Sequence, residues 1–530
     1  MNLISPFLIN RLWLASQRNE AKLFAKNVPI FEQEQQRILR RYMANNAATE
    51  YGQVHDFANI SDYRSFAKKV PIAQHWEKDI FPYVNKIAEG EPNILTRAAV
   101  LALEETSGTS GFAKLIPYTE TLKKEFQRAV AVWMHALWRQ APAAFRGRSY
   151  WSLSPALKPS SVTAGGIRIG LEDDSEYLDF LAAWALKRTL AVPASVKRET
   201  DARAFYFKSL LHLLAADDLS FISVWSPSFF LQLDDFLQNY FADILARDQG
   251  QLSRRRKETL QSISKGSWVW KDIWPSLASI SCWTDAQSAL WIPQLKERIG
   301  EVAISRKGLF STECVVSVPF AGATSSVLSY RSHFYEFREL ASRNIILAHQ
   351  LQRGQCYEVI VTTGGGLYRY ATSDIVEITD FCDQLPQIRF AGRDSRQSDL
   401  VGEKLSEFQV QQAIDQLEPA LVARCRLLFV YPFQKNKIQG GYKIYFLPNN
   451  RSKTTHLAQE LQKIENSLSG NPYYRQAIRS GQLVSLTVEC LPEGADQKIL
   501  NHYKKKKNLR DGDLKLPLLF EFGFLDDLNL

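Results

Sequence analysis

The stretch Thr106-Ser107-Gly108-Thr109-Ser110-Gly111-Phe112-Ala113-Lys114 sets the terms for the rest of the chain. Glycine lets a backbone turn with positive φ and approach a ligand closely. The amides of such a turn form a concave anion nest, to which the hydroxyls and the lysine add donors. A phosphate fits this composition, and so does an ordinary solvated turn. Two familiar nucleotide loops are excluded: Ala113 stands where a Walker loop needs glycine before its lysine, and no G-x-G-x-x-G is present.

A chain of 530 residues exceeds one ordinary core and divides into at least two domains. Its net charge of +9 is modest over that length, so nucleic acid is permitted and not implied. Cys282, Cys314, Cys356, Cys382, Cys425 and Cys490 are scattered without a C-x-x-C pair, which suits a reduced, cytoplasmic protein. Near the start, Leu3, Ile4, Phe7, Leu8, Ile9, Leu12, Trp13 and Leu14 raise the question of a targeting segment. Arg11 interrupts them and no basic residue precedes them, so the pattern predicts a first helix packed on the main domain. No window is long and apolar enough for a membrane span, and no membrane partner is expected.

Along the chain, residues 29–49 read as helix with Ile38, Tyr42 and Met43 on one face. After the loop, Leu122, Phe126, Ala129, Trp133 and Leu137 form one helical stripe. Its N-terminus is expected near the loop, where the helix dipole favours an anion. Residues 149–153 and 220–225 read as buried strands among helices, which predicts an α/β layer architecture. The tryptophans at 268, 270, 274, 283 and 291 read as packing. Residues 357–363, Gly364-Gly365-Gly366 and residues 367–378 read as a β-hairpin. Beyond residue 394, strands near 426–431, 443–447 and 483–490 and helices near 455–468 and 496–504 describe a small α+β domain.

The loop matches [ST]-S-G-[ST]-[ST]-G-x-x-K at every specified position, and so resembles the phosphate loop of the adenylate-forming superfamily. With Leu115 to Thr119 after it, a "T-E-Y-G" to "V-P-I" lead-in from Thr49 to Ile72, and Ser311-Thr312-Glu313-Cys314, the chain resembles one branch. That branch is the auxin-responsive (Gretchen Hagen) acyl acid-amido synthetases and their bacterial relatives. The resemblance runs from about residue 33 to 517. It implies an adenylate-forming α/β fold: a large multi-layer α/β N-terminal domain over residues 1–394 and a small mobile α+β C-terminal lid over 395–530.

The resemblance also implies a site. Thr106, Ser107, Gly108, Thr109, Ser110 and Lys114 would hold ATP phosphates, and Thr312 with its neighbours would face adenine. Glu313 would bind Mg²⁺, since magnesium favours a carboxylate among phosphate and water oxygens. Tyr368-Arg369-Tyr370-Ala371-Thr372-Ser373-Asp374 resembles "Y-R-x-G-D", with Ser373 at the usual glycine; Asp374 would accept from both ribose hydroxyls. Arg393 would join it at the ribose, with the hinge at Asp394. Arg510 to Pro517 resembles the C-terminal "G-x-x-K-x-P" loop, whose lysine is Lys515; Lys504 to Lys507 reads as a solvated helix end.

On that basis the expected partners are a carboxylic acid and an amine or amino acid, with no nucleic acid. The acid would lie against residues 133–137, 225–229 and 330–335, whose aromatics suit an apolar or aromatic acid. An acyl-CoA ligase with the same first half-reaction, and a non-catalytic nucleotide- or nucleic-acid-binding protein, stay open. The acid, the amine and the oligomeric state are not legible.

Overall fold

The computed structural model describes residues 5–106, 114–151, 161–170, 180–199, 201–394, 397–422, 424–436, 439–448, 455–507, 509 and 516–528. The expected first helix is Pro6–Lys26, begun by the Ser5 hydroxyl accepting the Leu8 amide and by proline in its first turn. It packs Ile9, Trp13, Leu14 and Phe24 inward. Its Asn10 amide donates to the carbonyls of Phe145 and Gly147 at 3.1 and 3.0 Å, pinning the helix to the main body. Helix Phe31–Asn46 buries Ile38, Leu39, Tyr42 and Met43 against the same core. Among the described residues, no helix is long and apolar enough to cross a membrane.

That core lies on a seven-stranded antiparallel sheet among the described residues, in the order Ile345–Leu347, Phe334–Glu339, Cys356–Thr362, Tyr370–Cys382, Leu385–Arg393, Ser326–Leu328, Ser317–Val318. The predicted hairpin is its third and fourth strands, the second arm beginning at Tyr370. The next turn of chain places Asp374 directly opposite Arg393 in the ladder.

A second sheet is parallel: Arg148–Trp151, Leu219–Ser223, Ser279–Cys282 and Ala303–Arg306, in that order. Leu219–Ser223 is buried at every position, as a parallel strand covered on both faces must be. Helices Ala202–Ala215, Pro227–Ala246 and Ile292–Ile299 cover it and form a separate apolar cluster. Trp270 and Trp274 are buried there, their indole N–H groups donating to Asp234 and to the Leu213 carbonyl.

Helix Glu120–Gln140 carries the predicted stripe, and Leu122, Phe126, Ala129, Trp133 and Leu137 are all buried. Its N-terminus does not follow directly on Lys114, the last residue of the expected phosphate loop. Strand Leu115–Thr119, paired antiparallel with Val100–Glu105, intervenes and separates them by about 16 Å at the usual rise per residue. The Thr119 hydroxyl instead caps the helix and donates to the Gly364 carbonyl at 2.9 Å, so the helix starts against the glycine turn.

From Leu405 onward, a three-stranded sheet (Cys425–Asn436, Gln439–Pro448, Leu483–Cys490) carries an apolar cluster on each face. Helices Thr455–Leu468 and Ala495–Lys507 match the expected positions, and Pro472–Arg479 is an additional one. In the lysine run, Lys506 bonds to the Phe524 carbonyl and to Asp527, and Lys507 to Glu521, so these two tie down the tail.

Candidate active site

Thr106 and Lys114 close the base of a hairpin. The Thr106 amide donates to the Lys114 carbonyl at 2.9 Å and the Lys114 amide to the Thr106 hydroxyl at 3.3 Å. Ser107, Gly108, Thr109 and Ser110, predicted to hold phosphates, lie outside the described residues, as does Lys515.

The Lys114 ammonium donates to the Tyr370 hydroxyl at 2.8 Å and sits within 6 Å of the Trp76 and Tyr370 rings. Burial holds its pKa below the usual lysine range, against the opposing pull of Glu313. Arg393 donates to Asp374 Oδ1 at 2.5 Å; that carboxylate, followed by Glu313, outweighs burial and raises the guanidinium pKa. Burial, with Glu313 next, raises the Tyr370 hydroxyl. Lys114, Glu313, Tyr370, Asp374 and Arg393, drawn from three separate stretches of chain, therefore share one electrostatic neighbourhood.

Local backbone explains the placement. Ser373 has φ of 63°, the left-handed region that glycine adopts freely, so serine keeps the turn the motif's glycine makes. The Asp374 amide is held by the Thr372 hydroxyl at 3.1 Å, which itself donates to the Val359 carbonyl. Residues 311–314 form a tight turn: the Ser311 amide donates to the Cys314 carbonyl at 3.0 Å, and the Cys314 amide to the Ser311 hydroxyl at 3.3 Å. Thr312 and Glu313 are its tip, with Glu313 9% exposed. Among the described residues no three His, Cys, Asp or Glu side chains cluster to hold a metal. A single carboxylate at the tip of a turn is nevertheless a donor magnesium uses together with phosphate and water oxygens, so Glu313 fits that ion.

Phe310 does not stack toward this charged group. Its ring packs on Trp133 at 5.7 Å and Trp225 at 6.3 Å. Tyr330 and Tyr335, predicted to line an acid pocket, are core residues: both are fully buried, and their hydroxyls donate to the carbonyls of Phe24 and Val315, each at 2.5 Å. Leu137 and Phe229 are likewise buried in the two apolar clusters.

Two supports escaped the sequence reading. Arg369, beside Tyr370, makes a buried ion pair with Glu336 and donates to the carbonyls of Ala67 and Val70, so the motif's arginine braces the fold. Glu125 is fully buried and accepts from the Tyr42 hydroxyl at 2.7 Å and the Gly364 amide at 2.9 Å, with His333 Nδ1 at 3.0 Å. His333 Nε2 accepts the Val315 amide at 3.1 Å, so Nδ1 carries the proton and donates to Glu125. One carboxylate thus fixes both the turn before Tyr370 and the loop after Glu313. A Cβ at Gly364 would meet Glu125 Oε1 at 2.6 Å, which is why that turn needs glycine. The legible signal was an acidic residue beside Leu122 and Phe126 on an otherwise apolar face.

Family models for the GH3 N-terminal, central and C-terminal domains match residues 17–304, 326–393 and 408–523. The chain belongs to the GH3 family. Among GH3 relatives, indole-3-acetic acid-amido synthetase GH3.15 of Arabidopsis thaliana is 23% identical over 531 residues, spanning 89% of this chain and 88% of its own. The A. thaliana synthetase GH3.4 is 22% identical, spanning 88% and 86%. The solved GH3.15 acyl acid amido synthetase in complex with 2,4-DB superposes with a TM-score of 0.82 at 20% identity, covering 97% of this chain and 96% of that one. The fold is accordingly the GH3 one, an α/β N-terminal part followed by a C-terminal domain.

Proposed function

We propose that this protein is an ATP-dependent acyl acid-amido synthetase, a ligase that adenylates a carboxylic acid and passes the acyl group to an amine or amino acid. The observation that carries this reading is the convergence of Lys114, Glu313, Tyr370, Asp374 and Arg393 in one electrostatic neighbourhood. The family membership and the amido synthetases among its relatives support it.

ATP is a substrate here. A carboxylate oxygen of the acid bonds to the α-phosphorus as the bond to the bridging oxygen breaks, and pyrophosphate leaves. The amine nitrogen then bonds to the acyl carbon, the bond to AMP breaks, and the nitrogen gives up a proton. The chain's own groups position anions and offset charge. Thr106, Ser107, Gly108, Thr109, Ser110 and Lys114 hold phosphates, and Thr312 faces adenine. Asp374 accepts from the ribose hydroxyls, and Arg393 holds that carboxylate in place through its ion pair. Glu313 would hold Mg²⁺, which supplies positive charge to the phosphates. Lys515, carried by a C-terminal domain of residues 395–530 that pivots at Asp394, offsets charge at the α-phosphate. Six free thiols support a cytoplasmic location.

The test is acid-dependent exchange of pyrophosphate into ATP, followed by mass spectrometry of the acyl product with amino acids or coenzyme A. An acyl amide is expected. A thioester formed with no amide from any common amino acid would make the protein an acyl-CoA ligase, and ATP binding without exchange across a broad acid panel would make it a non-catalytic binder.

A further inference from the structure

The four parallel strands lie side by side and run the same way, so their carboxyl ends make one edge. Open α/β sheets bind ligands outside that edge. Just inside it, Trp151, Ser223, Ser281 and Ser305 are register partners on successive strands. Partners in a ladder point to the same face of the sheet, so these four side chains form one rung. A parallel sheet covered on both faces is ordinarily Val, Ile and Leu at such positions; three serines in a row are small and polar instead. Beyond the rung, Trp225, Trp283 and Lys307 carry the same face on to the edge itself. The Trp283 amide donates to the Trp225 carbonyl at 2.9 Å, and the two rings lie 5.3 Å apart. Trp151, Trp225 and Trp283 are half-buried, so the edge keeps an accessible mouth above the serines.

The three serines are all buried, yet they are not bonded alike. Ser223 accepts from the Lys307 ammonium at 2.8 Å, and the hydroxyls of Ser305 and Ser279 bond to each other at 2.6 Å. Ser281, between them, is fully buried, and its hydroxyl has no hydrogen-bond partner among the described residues. A second such group covers the same rung. Trp133, from helix Glu120–Gln140, packs its ring 5.6 Å from that of Trp151 and 5.2 Å from the ammonium that Ser223 holds. It is 2% exposed, and its indole N–H likewise has no partner among the described residues. A buried polar group left unbonded is costly. The indole can only donate, whereas the serine can donate or accept. Trp133 also packs on Phe310 at 5.7 Å, and Phe310 precedes the turn that carries Glu313, so the rung adjoins the adenylation site.

We infer that this rung is the far end of the acid subsite, and that Ser281 with Trp133 selects an acid whose apolar body carries a hydroxyl at the end remote from the reacting carboxylate. The inference rests on the adenylating reading for the identity of the reacting carboxylate. The apolar body packs on the edge tryptophans, and the small serines leave depth for its tip. Its hydroxyl oxygen accepts from the Trp133 N–H and its hydrogen is donated to Ser281 Oγ, so one group satisfies both.

Calorimetry on the full-length protein reads binding without any chemistry. Benzoate, phenylacetate and 3-phenylpropanoate would each be titrated beside their 3-hydroxy and 4-hydroxy ring derivatives, which carry the hydroxyl to increasing depth. At least one hydroxylated acid is expected to bind about 10-fold or more tighter than its parent, the scale for buried groups that the parent leaves unbonded. Ser281→Ala and Trp133→Phe should each bring that ratio down to about 3 or less, and the double variant to about 1. No hydroxylated acid preferred over its parent, or a loss in the variants of equal size for both members of the pair, would show that Ser281 and Trp133 merely pack. If one variant does not fold, the other and the wild-type ratios decide. Hydroxyl preference without pyrophosphate exchange for any acid would sink the adenylating reading alone; exchange with no hydroxyl preference in any pair would sink this inference alone.

Discussion

The antiparallel and parallel sheets contribute in opposite ways. On the antiparallel sheet, charged side chains are aimed by the backbone: Asp374 faces Arg393 through the ladder, and Glu125, from helix Glu120–Gln140, clamps the glycine turn between two of its strands. On the parallel sheet, the edge residues are large and mostly aromatic, brought together because four strand ends coincide. Under the proposed function, the first region holds ATP, whose charge pattern is the same for every acid. The second presents large apolar surface at one edge of the sheet.

The sharpest way to break that contrast is Lys515→Ala. It should slow pyrophosphate exchange by roughly 10²- to 10³-fold, the scale for losing one electrostatic stabiliser, with the unfolding temperature unchanged. Near-normal exchange would move the role to another cation. Next, Asp374→Ala should weaken ATP, measured by calorimetry, by about 10- to 100-fold whichever acid is present, because a charged hydrogen-bond partner is lost. An effect that varied with the acid would deny the division between the sheets.

Glu125→Gln tests the clamp. It should lower stability by about 1–3 kcal/mol, since glutamine cannot accept from Tyr42, Gly364 and His333 together, and it should raise the KM for ATP without changing acid preference. Unaltered ATP kinetics would confine Glu125 to packing.

The smallest effect belongs to the parallel-sheet region. Burial raises the Asp234 carboxyl from 3.8 to about 6, against the Trp270 hydrogen bond and the Arg298 charge. The folded state therefore favours the protonated form, so this group's stabilisation is present at acid pH and is lost as pH rises through about 6. The unfolding temperature should fall by a few degrees from this source between about pH 4 and pH 6.5 and level off above that, and Asp234→Asn should flatten that slope. An unchanged slope in the variant would assign it to other groups.

The same contrast explains what could be read in advance. Lys114, Glu313, Asp374 and Arg393, which the fold brings into one neighbourhood, could be picked out together because each lies in a short local pattern with a family resemblance. The hairpin at 357–378 and most of the C-terminal elements were legible from periodicity and turns. Trp151, Trp283 and Lys307 were not, because parallel neighbours lie scores of residues apart in sequence and nothing local states their register. Tyr330 and Tyr335 misled for the same reason: aromatic content was visible, but not the carbonyls of Phe24 and Val315 that make them core. The start of the helix after the loop was placed too near the loop because nothing local marked residues 115–119 as a strand.

The amide of Asp394 donates to the carbonyl of Ser373 at 3.0 Å, linking the residue after Arg393 to the residue before Asp374. If the chain swivels at Asp394 and Asp374 holds the ribose, as proposed, the axle is bolted to the bracket that grips the sugar. Turning and gripping would then share a single bond, so a rotation that strains it loosens the sugar, and a sugar held firmly stiffens the axle. Order in time would follow without a separate signal: the nucleotide must seat before the swivel, and the swivel helps eject what remains of it.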